Sequence, residues 1–291
     1  MVALQFLVLS VLVRIQVRLH SIPSPEVEAW NFFVNRPSMP QLRLNLTDDY
    51  NALNSHERDA RVVFEPEGHK YIVDSEVVCD SVTQVVSGMF EQFDADYWAA
   101  RKATPNCPAE KIKAIWQKKG SEARDLGTLL HKRIEDYYLG YRPDTEALND
   151  RGYRHFLAFA ADHELKPFRS EWTIFSRRYR IAGTLDFLAF DGDKYEIFDW
   201  KRSTKVCDMF SRPLHNSYGK HAFDPIGHIP DTVYHHYALQ LSFYRYLLAT
   251  EYGINAEACH LGVFHPDMAS YHLVDVPFLE SEVITILNSR L

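Results

Sequence analysis

Two carboxylates stand where a buried strand normally carries Val or Ile. In the stretch GTLDFLAFDGDKYEIFDWK, residues 183–201, Asp186 lies between Leu185 and Phe187, and Asp199 lies between Phe198 and Trp200. Asp191-Gly192-Asp193-Lys194 is a turn signal. With those four residues as a hairpin loop, Phe190 pairs with Tyr195. Counting back sets Asp186 opposite Asp199. Directly opposed strand residues have Cβ atoms roughly 4.5–5.5 Å apart. Side chains alternate along a strand, so Lys201 shares the face of Asp199. One face then presents two carboxylates and one ammonium.

Two like charges at this range repel and resist burial. Lys201 can offset one of them. A divalent cation can bind both, and hard oxygen ligands suit magnesium or manganese. A solvated surface hairpin accounts well for Asp191 and Asp193. It accounts poorly for Asp186 and Asp199, because Leu185, Phe187, Leu188, Ile197, Phe198 and Trp200 make both faces apolar. The cost of burying bare charge favours a metal site. A glycosidase pair is a weaker reading, since the tight spacing and Lys201 suit a cation better.

These strands need a frame. The chain has 291 residues, 46% apolar and 13% aromatic, enough for a real core. Its net charge of −7 gives no whole-chain support for a polyanion partner. Cys79, Cys107, Cys207 and Cys259 are widely spaced, which argues against structural zinc, an iron–sulfur cluster or a disulfide framework, and fits a reducing, intracellular compartment. Leu4 to Val13 is apolar but too short to span a bilayer, so no membrane association is expected. The alternation in VLVRIQVRLH reads as a strand; Arg14 and Arg18 loosely suggest a mitochondrial presequence. Asn45-Leu46-Thr47 is a glycosylation sequon only in a secreted chain. Residues 1–60 read as an N-terminal extension and linker, and residues 61–291 as the domain.

Within that domain, residues 62–78 read as a hairpin with Pro66-Glu67-Gly68 in its turn. Helices are expected from Asp80 to Phe90, Ala95 to Ala103, and Ala109 to Lys119. Gly120-Ser121 opens a further helix, with Leu126, Leu130, Ile134 and Tyr137 as its apolar stripe and Gly140 at its end. Arg151 to His163 is helical. Strands follow: one from Glu171 to Gly183, then LDFLAF and YEIFDWK. An irregular segment, 202–232, leads to a helix closed by Gly253. Two more strands and a short helix complete the chain. This order suggests an α/β sandwich around a mixed sheet.

Gly183-Thr184-Leu185-Asp186, followed by Asp199-Trp200-Lys201, resembles the PD-(D/E)xK nuclease superfamily, and more narrowly its RecB-like exonuclease branch. Gly127, His131 and Glu135 match that branch's GxxxHxxxE helix. Gln240-Leu241-Ser242-Phe243-Tyr244 matches its QLxxY helix. The four motifs occur in order between about Gly120 and Tyr252, as in mitochondrial genome maintenance exonucleases and viral or phage recombination exonucleases. The resemblance implies a restriction-endonuclease-like sandwich with a central mixed β-sheet flanked by helices. It also implies a DNA nuclease dependent on Mg²⁺ or Mn²⁺, an exonuclease of DNA processing, repair or recombination. The four-cysteine cluster of some members is missing, so no iron–sulfur cluster is expected. A separate replication or recombination protein is the expected partner class; no oligomer interface is legible.

The resemblance implies His131, Asp186 and Asp199 as metal ligands, and Lys201 as the residue that positions or deprotonates water and stabilises phosphoryl charge. On its own, a helical histidine is more often packed or exposed. Here Arg124, Gly127, His131, Glu135 and Tyr138 share one polar stripe, and Gly127 would permit close backbone approach. Glu171 is either an acid near the site or an exposed strand-end acid. Gln240 and Tyr244, at i and i+4, are placed near DNA by analogy; helix surface and core are their plainer readings. Arg124, Arg178, Arg202 and Lys205 could contact phosphates. Trp200, Phe210 and Tyr218 could stack bases. The rival to a nuclease is a catalytically silent nucleic-acid-binding protein on the same fold.

Overall fold

The computed structural model describes residues 49–65, 68 and 70–291. The stretch Leu4 to Val13, the sequon and the residues up to 48 lie outside the described residues. The last part of the segment read as linker is not loose. Tyr50–Leu53 (α1) is capped by Asp49, and a 3₁₀ turn follows at Asp59–Arg61. The Tyr50 hydroxyl lies 2.8 Å from Ser170 Oγ. Asp59 accepts from Arg169 at 2.7 Å and from the Trp172 indole N–H at 2.8 Å. These partners are more than a hundred positions away, so local composition gave no hint of them.

Eight strands form one mixed sheet between layers of helices, an α/β sandwich. Val62–Glu65 (β1) and Lys70–Val73 (β2) form the expected antiparallel hairpin, with Pro66 and Glu67 of its turn outside the described residues, and Val77–Ser81 (β3) adds a third antiparallel strand where one hairpin was expected. Ser81 caps Val82–Gly88 (α2) in a reciprocal capping box with Gln84. Ala95–Lys102 (α3) pairs with the first half of Ala109–Tyr138 (α4). Two helices were expected where α4 runs unbroken through Gly120-Ser121. A mid-helix glycine costs about 1 kcal/mol relative to alanine. Strong helix formers flank it and no proline intervenes, so propagation wins. Thr145–Asn149 (α5), which was not anticipated, and Arg151–Asp162 (α6) lead into the main strands.

Those strands are Pro167–Ser176 (β4), Ile181–Phe190 (β5) and Tyr195–Lys201 (β6). The single strand expected from Glu171 to Gly183 is therefore two, joined by a turn in which Arg180 has φ 51°. Val233–Glu251 (α7), Ala256–Val263 (β7), His272–Val276 (β8) and Glu280–Asn288 (α8) complete the domain.

The sheet forks at β5. β4 runs along one edge of β5, from Ser176↔Ile181 to Pro167↔Ala189. The other edge is divided. β3 pairs only with Ile181 and Ala182, and β6 only with the four residues from Phe187 to Phe190. Residues 183–186 lie between those two partners, with no strand among the described residues paired to them on that edge.

Apolar packing closes both faces around this gap. Leu185 and Ile197 join Leu241, Phe243 and Leu247 of α7. Phe187, Phe198 and Trp200 join Leu130 and Ile134 of α4 and Phe156 and Phe159 of α6. Leu126, expected in the α4 stripe, is exposed. The helix meets the sheet only beyond it, as its first half packs on α3.

Two glycines behave differently from one another. A Cβ on Gly183 would lie 2.7 Å from Tyr244 Cε1 and 3.2 Å from Val82 Cγ2. A Cβ on Gly127 would meet nothing within 4 Å, so the expected close approach there is absent. Gly183→Ala is therefore predicted to lower unfolding free energy by about 1–3 kcal/mol through overpacking. Gly127→Ala should raise it by up to about 1 kcal/mol. Urea denaturation checks both; an unchanged Gly183→Ala would contradict the Tyr244 packing.

Candidate metal centre

The site begins with register. Phe190↔Tyr195 to Phe187↔Phe198 pair as the DGDK turn implied. The paired ladder stops one step short of the position where its register would bring Asp186 opposite Asp199. They are 8% and 1% exposed, so both are truly buried carboxyl groups. On the other edge of β5, Ser170↔Phe187 and Trp172↔Leu185 bracket Glu171 and Asp186. Glu171, Asp186 and Asp199 thus occupy one row across three adjacent strands.

Glu171 breaks the ladder at this row. It lies inside β4 rather than at its start, and its φ is 45°. That left-handed conformation is disfavoured for a residue with a Cβ and costs of order 1–3 kcal/mol. The kink coincides with the one β4 acid that approaches Asp186 and His131.

His131 reaches the row from α4. Its Nε2 lies 2.8 Å from the Trp200 carbonyl oxygen, which can only accept, so Nε2 carries the hydrogen. Nδ1 is left facing Glu171 Oε1 and Asp186 Oδ1, each at 3.6 Å. The other Asp186 oxygen accepts the Trp200 N–H at 2.8 Å. The backbone of one β6 residue, Trp200, is thereby clamped between α4 and β5. A neutral Nδ1 lone pair facing two carboxylates would be repelled, so a cation belongs between them. Without metal that cation is a proton. Burial opposes it, but the charges of Asp186 and Glu171 prevail and raise the His131 pKa to about 9.

Asp199 sits with Lys201. The Lys201 ammonium lies against Asp199 Oδ2, 4.0 Å from Asp186 Oδ2 and 4.6 Å from the centroid of the Tyr237 ring. Burial opposes the ammonium, but Asp199 and Asp186 hold its pKa above the usual lysine range. Burial pushes the Asp199 carboxyl up to about 7, against the pull of Lys201. Lys201 is thus a fixed ammonium, suited to donating hydrogen bonds and offsetting charge rather than to taking a proton.

Tyr237 was missed by sequence reasoning. Its signal was its place one helical turn before Gln240. Gln240 donates to the Tyr244 hydroxyl at 3.2 Å, and Tyr244 is buried against Gly183.

The residues fit a hard divalent cation. His131 Nδ1 and one oxygen each from Glu171 and Asp186 lie within 4.8 Å of one another, the only such group among the described residues. Asp199, also expected as a ligand, lies outside this group with one oxygen against Lys201, while Glu171, expected as an acid near the site or an exposed strand-end acid, is within it. Asp199 Oδ1 remains buried with no hydrogen-bond partner. An orphaned carboxylate oxygen beside an imidazole and two acids is what such an ion would complete.

Other expected contacts are placed differently. Arg202 is largely buried and lies 3.5 Å from Asp150, so its guanidinium is engaged within the fold rather than offered to a phosphate. Asp150 also holds Arg133 of α4 at 3.1 Å and accepts the Gly152 N–H at 2.8 Å. One carboxylate thus ties the residue after Lys201 to the helix of His131. Arg178 lies in the 177–180 turn, about 17 Å along β5 from Asp186 at roughly 3.3 Å per residue. Trp200, a candidate base-stacking ring, is in the core. Arg124 and Lys205 are exposed.

No family model matches the chain, and no curated protein matches it. Among solved structures it is similar to the crystal structure of SSO0001, 16% identical over 72% of this chain and 73% of that one, with a TM-score of 0.33. A likeness this loose carries no argument.

Two predictions follow from the charges. The His131 pKa of about 9 exceeds the ordinary 6.5, so the metal-free fold holds that proton more tightly than the unfolded chain does. The resulting stabilisation is complete below pH 6.5 and is lost as pH rises to about 9. Across that window, urea denaturation should show wild type losing roughly 1–3 kcal/mol more than His131→Gln. Parallel profiles would contradict the imidazolium. Separately, Tyr237→Phe should melt near wild type, whereas Tyr237→Leu should lose about 0.5–2 kcal/mol of cation–π stabilisation.

Proposed function

We propose that this chain is a metal-dependent DNA nuclease that hydrolyses phosphodiester bonds, acting on ends as an exonuclease. The observation that carries the reading is the convergence of His131, Glu171 and Asp186 with the Asp199–Lys201 pair at the fork of the sheet. The ordered motifs that resemble RecB-like exonucleases support it. When bound, Mg²⁺ or Mn²⁺ would supply Lewis acidity at a phosphate oxygen and lower the pKa of water.

Each residue of the chain has a distinct part. Glu171, Asp186 and His131 would hold the ion, with the imidazole fixed in one tautomer by the Trp200 carbonyl. Lys201, held by Asp199 and Tyr237, offers a fixed positive charge to a phosphate that gains negative charge as it is attacked. Preorganised charge of this kind stabilises a transition state without rearranging. Gln240 lies one turn beyond Tyr237 on the same helix and donates to the Tyr244 hydroxyl. A separate replication or recombination protein would supply the DNA ends.

The test pairs wild type with Lys201→Ala on linear and covalently closed DNA, in magnesium, manganese or EDTA. Metal-dependent loss of linear DNA alone is expected, at least about a hundredfold slower in Lys201→Ala. Cutting of closed circles would make the protein an endonuclease. No cleavage under any condition would favour a silent nucleic-acid-binding module.

A further inference from the structure

We propose that the α3–α4 helix pair and the loop 202–232 form one surface that binds a single-stranded polynucleotide and leads it to the metal centre. This deepens the nuclease reading and rests on it.

Charge is the first observation. Residues 95–124 hold seven Lys or Arg against three Asp or Glu. In the loop, residues 203–223 hold Lys205, Arg212 and Lys220 against Asp208, and Asp224 and Asp231 follow. The chain's −7 is therefore a balance of +6 on residues 95–124 and 203–223 and −13 elsewhere. Such segregation on an acidic protein points to a polyanion.

Exposed rings are the second observation, and they decide which polyanion. Tyr97 is 49% exposed, Trp98 39%, Phe210 67% and Tyr218 88%. Arg101 lies over both Tyr97 and Trp98, at 5.6 and 5.9 Å from their centroids. Arg212 lies 4.9 Å from the centroid of Phe210. Aromatic faces beside guanidinium groups suit unpaired bases strung on phosphates. A duplex keeps its base faces stacked inside and could use only the charges.

Placement is the third. Arg124 precedes His131 by seven residues on α4, about 10 Å along the helix axis. The loop begins at the residue after Lys201. It docks on the chain between α2 and α3, where the Phe223 N–H donates to the Met89 carbonyl at 2.7 Å and Lys220 pairs with Glu91 at 2.7 Å. The end of the loop thus meets the chain just before α3, while Ser211, beside Phe210, lies 2.9 Å from His272 at the start of β8.

The test is fluorescence anisotropy in EDTA, with labelled oligothymidylate and a duplex of equal length as probes. The oligothymidylate should bind at least about tenfold more tightly than the duplex, and Trp98→Ala and Phe210→Ala should each weaken it about fivefold or more. Both variants should melt like wild type, since both rings are exposed. Equal or tighter duplex binding, or unaffected variants, would overturn the proposal. Tighter binding of polyglutamate than of oligothymidylate would overturn it in favour of an acidic protein partner. Metal-dependent DNA hydrolysis with unaffected variants would remove this surface and leave the nuclease reading intact. Absence of both binding and hydrolysis would remove both.

Discussion

Buried like charge is the constraint on which the rest of this structure depends. Asp186 and Asp199 occupy adjacent strands between two apolar layers, and Glu171 extends their row onto a third strand. Glu171 is exposed to solvent, but burying the other two so close together costs stability. Each must be met by a counter-charge or a donor. Asp199 is met by Lys201, Asp186 by the Trp200 N–H, and the side of the row nearest α4 by His131. Asp199 Oδ1 is met by nothing. This remaining deficit supports the proposed divalent cation.

The architecture follows from making room for that deficit. An unbroken β3–β5 or β5–β6 ladder would fill the gap with backbone hydrogen bonds. Instead β5 hands its edge from one partner to the other, and residues 183–186 lie between. Gly183 lets Tyr244 pack into the opening from α7. β4 bends at Glu171 through a backbone conformation that costs energy and brings its carboxylate to the row. α4 crosses the other side, and Asp150 secures it to the end of β6 through Arg133 and Arg202. Local strain and an interrupted sheet are common marks of a functional site on an otherwise consistent fold.

What the sequence revealed, and what it hid, divides along physical lines. The approach of Asp186 to Asp199 was legible because a turn signal and strict alternation fix a hairpin register locally, although the paired ladder ends one step before them. His131 was legible by resemblance, and the sandwich by the order of its elements. Glu171 was underweighted because its approach depends on a positive φ that no residue type announces. Arg202 looked like a phosphate contact because Asp150, its partner, is 52 positions distant. Gly120-Ser121 imitated a helix start, yet cooperativity along α4 overrode it. The same distance effect hid the docking of Tyr50 and Asp59 on β4.

The central claim is that the row of acids is completed by a cation. Calorimetric titration of Mn²⁺ into the metal-free protein tests it most directly. The account predicts one saturable site in wild type, sharply weakened in both Asp186→Asn and Glu171→Gln while the fold is retained. No saturable binding by wild type, or binding undiminished in those variants, would contradict it.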